Sequence, residues 1–373
     1  MSTPLANLSE PFVLTEVRGR VGFITLNRSK ALNALSLDMV RVLTQTLQKW
    51  RDDGMVLAVA IRGMGKEGPF GSFCAGGDIR FFHEAALAGD ERLEAFFTEE
   101  YALNHLIHTY PKPYIAFMDG IVMGGGMGIS QGASLRIVTE RSKLAMPETG
   151  IGLFPDVGGG YFLSRCPGHL GEYLGLTGRL LHGNEAMTAG LADAIMESGR
   201  LAGLWDSLGN TPYESGEAVE RWCRNHVQKN PERANLPLQA IQTAFSQANV
   251  SGILAHLDAQ SDPWAEETAA TLRKRSPLML HVVLEQIRRA RTMSLADDLR
   301  MERDMVRHCF HMNHLGRTGA QSETVEGIRA LAIDKDHQPR WNPARLEDVT
   351  DDMVAPFFDS PWPEGQHPLR LLG

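Results

Sequence analysis

Short apolar runs alternate with stretches of helical spacing through the first half of the chain. Residues 12–17 and 21–26 are rich in β-branched residues and meet at Gly19, a pattern that predicts two short strands joined by a turn. Ser36 then stands before Met39, Leu43, Leu47 and Trp50, so 37–51 is expected to be an amphipathic helix with a serine N-cap. A further strand is predicted over 56–62, a helix over 90–109 ending before Pro111, and a buried strand over 114–122. From about residue 200 strand signals fade. Ser276-Pro277 reads as an N-cap and first turn ahead of Leu280, Val283, Leu284 and Ile287, and Ser294 opens another helix carrying Leu295, Leu299 and Val306. The tail from Asp334 is rich in proline and tryptophan and is expected to be irregular. The alternation predicts an α/β core, at 1–200, followed by a mostly helical C-terminal region, 201–373, that covers the site.

The first pass leaves three glycine-rich places unexplained by packing. Gly124, Gly125 and Gly126 sit between the apolar run 114–122 and a stretch that can continue as helix, where open N–H groups favour negative charge and a tight turn is the plainer alternative. The glycines are contiguous, so this is not the G-x-G-x-x-G of dinucleotide sites. A loop at 63–72 leads to F-C-A-G-G-D-I at 73–79. Then P-E-T-G-I-G-L-F-P-D-V-G-G-G at 147–160 places Glu148 and Asp156 among Met146, Ile151, Leu153, Phe154 and Val157. Two prolines and two glycines within ten residues exclude a regular helix, so both acids are expected on an ordered loop. Carboxyls among apolar neighbours are partly desolvated and suited to act as base or nucleophile, although capping or turn formation would suit each acid taken alone.

Composition narrows the partners. At 373 residues the chain can bury a large core, and 43% apolar with 22% charged residues is ordinary for a globular protein. A net charge of −8 argues against nucleic acid or an anionic membrane as the main partner. The four cysteines are too scattered for a disulfide framework, no apolar run reaches membrane-spanning length, and the N-terminus lacks a targeting pattern, so a cytoplasmic protein is expected. Neither metal spacing nor a cofactor motif is apparent.

The motifs at 73–79, 124–126 and 147–160, with E-E-Y at 99–101, K-P-Y at 112–114 and E-G-I-R-A-L-A-I-D-K-D-H-Q-P-R-W-N-P at 326–343, resemble the crotonase (enoyl-CoA hydratase/isomerase) superfamily. Within it they are most similar to the 3-hydroxyisobutyryl-CoA hydrolases, over nearly the whole chain. The resemblance implies a spiral core of ββα turns and an acyl-CoA substrate, with CoA part of the substrate rather than a cofactor. It implies an oxyanion hole from the N–H groups of Gly77 and Gly125, catalysis by Glu148 and Asp156, Glu100 at the substrate pocket and Lys30 as a candidate for a CoA phosphate. It also makes a homo-oligomer possible. Hydratases of the superfamily carry a second glutamate three residues after the middle glycine. Here that position is Gly128, and Asp156 stands where hydratases commonly have glycine. Both departures favour thioester hydrolysis, in valine breakdown, over enoyl-CoA hydration or over a silent CoA-binding protein.

Overall fold

The computed structural model describes residues 10–228, 234 and 236–373. Most of the N-terminal segment read for a targeting signal lies outside them. The first hairpin pairs β1 (Val13–Arg18) with β2 (Val21–Leu26) antiparallel, and β3 (Ala58–Gly63), β4 (Tyr114–Met118), β6 (Leu135–Val138) and β9 (Ala194–Ile195) extend it in parallel. A smaller sheet runs β5 (Ile121–Met123), β7 (Lys143–Ala145), β8 (Leu181–His182), with β5 and β7 parallel. Helices α1 (Leu37–Asp52), α2 (Ile79–Ala88) and α3 (Arg92–His108) form the crossovers between the early parallel strands. Ser36 caps α1 by accepting the Met39 N–H, as its position predicts.

The strand expected over 114–122 is two strands in two different sheets. Gly120, at φ 75°, breaks it, because a Cβ there would lie 2.1 Å from the Gly71 carbonyl oxygen. Buried Asp119 fixes the corner by accepting from the Gly71 N–H at 2.7 Å and from the Thr139 hydroxyl at 2.5 Å. Strands β6 to β9, only two to four residues long, are too short for periodicity to reveal.

The inner strands β2, β3 and β4 of the larger sheet are covered on both faces, which is why they read as nearly unbroken apolar runs, whereas the edge strand β1 is mostly exposed. Ile24, Val59, Ile61, Ala116 and Met118 enter the main core, whereas Phe23, Ala60, Ile115 and Phe117 pack on the opposite face under the helices Leu201–Asn210 and Gly216–His226. Trp205 anchors that second layer, its ring edge-on to Phe23 at 4.7 Å and to Phe117 at 5.2 Å. The first two helices beyond residue 200 thus serve the far side of the sheet. The helices Pro277–Ala290, Leu295–Phe310 and Glu323–Ile328 join the main core on the other side. The N-caps read at Ser276 and Ser294 are both in place. The tail beyond 334 is irregular, as expected, except for a turn at Leu346–Asp348 and a helical stretch in which Asp351–Val354 runs into Ala355–Phe358.

Candidate active site

Residues 74–78 run between two other segments. On one side Leu35 donates to the Gly76 carbonyl at 2.8 Å and Asp78 donates to the Leu35 carbonyl; on the other Cys74 donates to Ile121 and Met123 donates back to Cys74. Gly124, at φ 48° and ψ −120°, then turns the chain into α4 (Gly125–Gln131). The two loops come so close that a Cβ on Gly76 would sit 3.6 Å from the Gly125 nitrogen. Among the described residues, nothing accepts the N–H of Gly77 or of Gly125. Both glycines line a cavity of about 330 Å³ together with Glu100, Glu148 and Asp156. Asp78 is turned to structure, capping α2 and pairing with Arg28 at 2.7 Å.

Three carboxyls therefore reach one cavity from three places. Glu148 opens a tight turn, Glu148–Ile151, just after Pro147; Glu100 comes from α3; Asp156 follows Pro155. All three are buried, and no group among the described residues bonds Glu148 Oε2 or Glu100 Oε1. Asp156 accepts from the Tyr101 hydroxyl at 2.8 Å. Burial pushes Asp156 up to about 7 despite that hydrogen bond. Burial, and then the charge of Asp156, holds Glu148 and Glu100 well above the usual carboxylate range. Burial and the neighbouring negative charge thus oppose ionisation of these acids, a condition suited to proton transfer near neutral pH.

The acid loop is held from the C-terminal region, which the sequence pattern did not reveal. The Ser276 N–H donates to the Thr149 carbonyl and the Thr324 hydroxyl to the Gly152 carbonyl at 2.7 Å, fixing the turn that follows Glu148. Gln286 Nε2 donates to the Pro155 carbonyl at 2.7 Å. Glu302 takes the N–H of Gly158 at 2.7 Å and of Gly160 at 2.9 Å, and Asp298 takes that of Tyr161 at 2.9 Å. Arg275 lines the cavity as well, donating to the Thr177 carbonyl. In the sequence Asp298 and Glu302 look like ordinary acids of an amphipathic helix. Their i, i+4 spacing on a buried face is the one signal that could have marked them.

Lys30 stands apart. It is exposed on the turn Ser29–Ala31 and does not line the cavity. Gly128 is not exposed to the cavity either. A Cβ there would lie 2.6 Å from Val157 Cβ and 2.8 Å from Asn104 Nδ2, so the space a side chain would need is already filled.

The chain as a whole is similar to proteins of known sequence and structure. The mitochondrial 3-hydroxyisobutyryl-CoA hydrolase of Rattus norvegicus is 41% identical over 354 residues, covering 93% of this chain and 89% of the relative. That of Xenopus tropicalis is 40% identical over 348 residues, covering 92% and 87%. Among solved structures, a carnitinyl-CoA dehydratase from Mycobacterium thermoresistibile superposes with a TM-score of 0.85 at 36% identity, over 96% of this chain and 98% of that one. An enoyl-CoA hydratase from Rhodobacter sphaeroides gives 0.82 at 34%, over 93% and 97%. The enoyl-CoA hydratase/isomerase family model matches residues 21–358. With nearly the whole chain accounted for in each comparison, the protein belongs to the enoyl-CoA hydratase/isomerase family.

Proposed function

We propose that this protein hydrolyses an acyl-CoA thioester, 3-hydroxyisobutyryl-CoA, to the free hydroxy acid and CoA. The observation that carries the reading is the pairing of Glu148 with Asp156 in one cavity while position 128 is walled off by Val157 and Asn104. Syn-hydration of an enoyl thioester uses two acid/base groups on one side of the double bond, and the second glutamate that resemblance would place at 128 has no room. The rat and frog relatives are named as hydrolases, which supports hydrolysis, whereas the two solved structures are named as a dehydratase and a hydratase. The packing around Gly128 favours the former.

The thioester oxygen would lie against the N–H groups of Gly77 and Gly125, two donors pre-set for the charge of a tetrahedral intermediate. Glu148 would start the reaction, taking a proton from water as the hydroxide adds to the carbonyl carbon, or adding to that carbon itself. Collapse of the intermediate breaks the C–S bond. In the first route the thiolate takes the proton Glu148 drew from water and the free acid is left. In the second it takes a proton from Asp156 and leaves an acyl anhydride on Glu148, which water then cleaves to the free acid, restoring the Glu148 carboxylate and returning a proton to Asp156. Asp156, held by Tyr101, would orient Glu148, the water or the substrate hydroxyl, and Glu100 would lie at the acyl end. Lys30, on the turn joined to the 74–78 loop through Leu32 and Leu35, would meet CoA outside the cavity. The four buried free thiols are compatible with a reducing cytoplasm.

Thiol release across a small acyl-CoA panel tests the reading. 3-Hydroxyisobutyryl-CoA should be cleaved far faster than isobutyryl-CoA, because the deoxy substrate leaves a buried polar group unpaired. Crotonyl-CoA should be hydrated very poorly. Loss of its enoyl absorbance at a rate comparable with thiol release would sink the proposal.

A further inference from the structure

Asp156 lies in a stretch of backbone that would not hold its shape unaided. Val157 is at φ 58°, a left-handed conformation that is uncommon for a β-branched residue, and Gly158 follows at φ 85°. For Val157 such a conformation is strained and persists only where the surroundings impose it, whereas Gly158 adopts it freely. Here the surroundings are the side chains of two C-terminal helices. On one side of Asp156, Gln286 donates to the Pro155 carbonyl; on the other, Glu302 accepts from Gly158 and Gly160 with its two separate oxygens. The two grips are tied together, since Gln286 Nε2 also donates to Glu302 Oε1 at 3.2 Å. Asp298, one turn earlier on the Glu302 helix, takes the Tyr161 N–H, so the open first-turn donors of α5 (Gly159–Ser164) are met by two carboxylates of another helix.

Full burial of Glu302, Asp298 and Gln286 is costly for groups that touch neither water nor the cavity. A hydrophobic contact could pack the helices at less cost. What an apolar pair could not do is fix the backbone on both sides of a single residue.

We propose that Glu302, braced by Gln286, is the positioning residue that sets the Asp156 carboxyl in place for the reaction. This rests on the reading of Asp156 as part of a thioester-hydrolysing site. Glu302 does not line the cavity and acts through the loop it holds, and the C-terminal region thereby serves as a clamp on the catalytic chain.

The test is a double-mutant cycle on thiol release with Glu302→Gln, Asp156→Asn and both together. An amide at 302 can accept at one position only and turns its NH₂ towards the other backbone N–H. In the wild-type background Glu302→Gln should lower kcat about 10–100-fold, the scale of loss when a reacting group is misplaced by about 1 Å. KM should change less than about threefold. In the Asp156→Asn background the same change should cost less than about threefold, because the group it positions is already gone. Equal losses in both backgrounds would overturn the proposal, and so would wild-type kcat in Glu302→Gln. Gln286→Met provides a second route should Glu302→Gln not fold, and the same non-additivity with Asp156→Asn is expected. Amide hydrogen exchange at Gly158 and Gly160, faster in Glu302→Gln than in the wild type, reads the clamp without turnover. If wild-type enzyme releases no thiol from any of the panel, the proposed reaction fails while exchange still decides whether the clamp exists; unchanged exchange overturns it.

Discussion

The two glycine loops and the acid loop line one cavity but are built on different materials. Residues 74–78 and 123–125 are fixed by backbone hydrogen bonds to Leu32, Leu35, Ile121 and Ala145, all within the first half of the chain, and they allow no side chain where they meet. Residues 148–161 bond mainly to side chains and backbone from beyond residue 275: Ser276, Gln286, Asp298, Glu302 and Thr324. The difference follows from the job of each. Backbone donors for an oxyanion need only exact spacing, which a tight backbone ladder supplies. Carboxyls held above their usual range need a dry, shaped setting, and one loop cannot make that for itself. It also separates what each loop tolerates: the first is broken by a methyl group inside it, the second by the loss of a partner far away in sequence.

The largest effect should come from the acid loop itself. Glu148→Gln removes the group that takes the proton or attacks, and thiol release should fall about 10²–10⁴-fold in a variant that still folds. Wild-type turnover in that variant would take Glu148 out of the chemistry.

On the glycine side, Gly125→Ala sharpens the contrast. Its Cβ would sit 2.5 Å from Glu100 Oε1 and 3.4 Å from the Gly76 carbonyl carbon, so both an oxyanion donor and a buried acid must shift. A loss of about 10² in kcat is expected, with circular dichroism unchanged. An alanine variant with full activity would mean that this backbone N–H does not serve the oxyanion.

Asp156 links the two by its charge. Since its carboxyl is raised from 3.8 to about 7 in the fold, the native state binds more protons than the unfolded chain between those values. Asp156 therefore costs stability progressively as pH rises through that window, and the cost is complete above it. Asp156→Asn should melt a few degrees higher than wild type at pH 8, with the gap closing towards pH 4. A pH-independent gap would show that the loop, rather than the ionisation, is responsible. If the ionised form is the one that acts, wild-type kcat/KM should rise across neutral pH.

The smallest effect tests the remote grip on the first half of the loop. Thr324→Val leaves the Gly152 carbonyl without its partner, and should cost about 1–2 kcal/mol in denaturant unfolding while kcat stays within about threefold. A large fall in kcat would mean that the 148–152 turn, too, depends on the C-terminal region for its catalytic geometry.

Much of this was legible in order along the chain. Short-range chemistry placed α1 after Ser36, the caps at Ser276 and Ser294, and the glycine junction before α4, because a cap or a turn depends on residues a few positions apart. The motifs also picked out Glu100, Glu148 and Asp156 as candidates, and these line one cavity. The split of 114–122 into two sheets was hidden, since an apolar run looks the same whether or not Gly120 breaks it at a corner. Lys30 read as a ligand residue only through resemblance, and it is exposed and outside the cavity lining.

What the sequence determined by itself was therefore the local vocabulary: apolar strands, capped helices, loops too rich in glycine to be idle, and the absence of a side chain at 128. Tertiary structure alone decided that Val157 and Asn104 fill the space at 128, that Tyr101 holds Asp156, and that Glu302 and Gln286 hold the backbone around it. The reason is physical. Hydrogen bonds and exclusion act over about 3–4 Å, and the partners involved lie up to 144 positions apart in the chain, a separation across which spacing carries no signal until the core has formed.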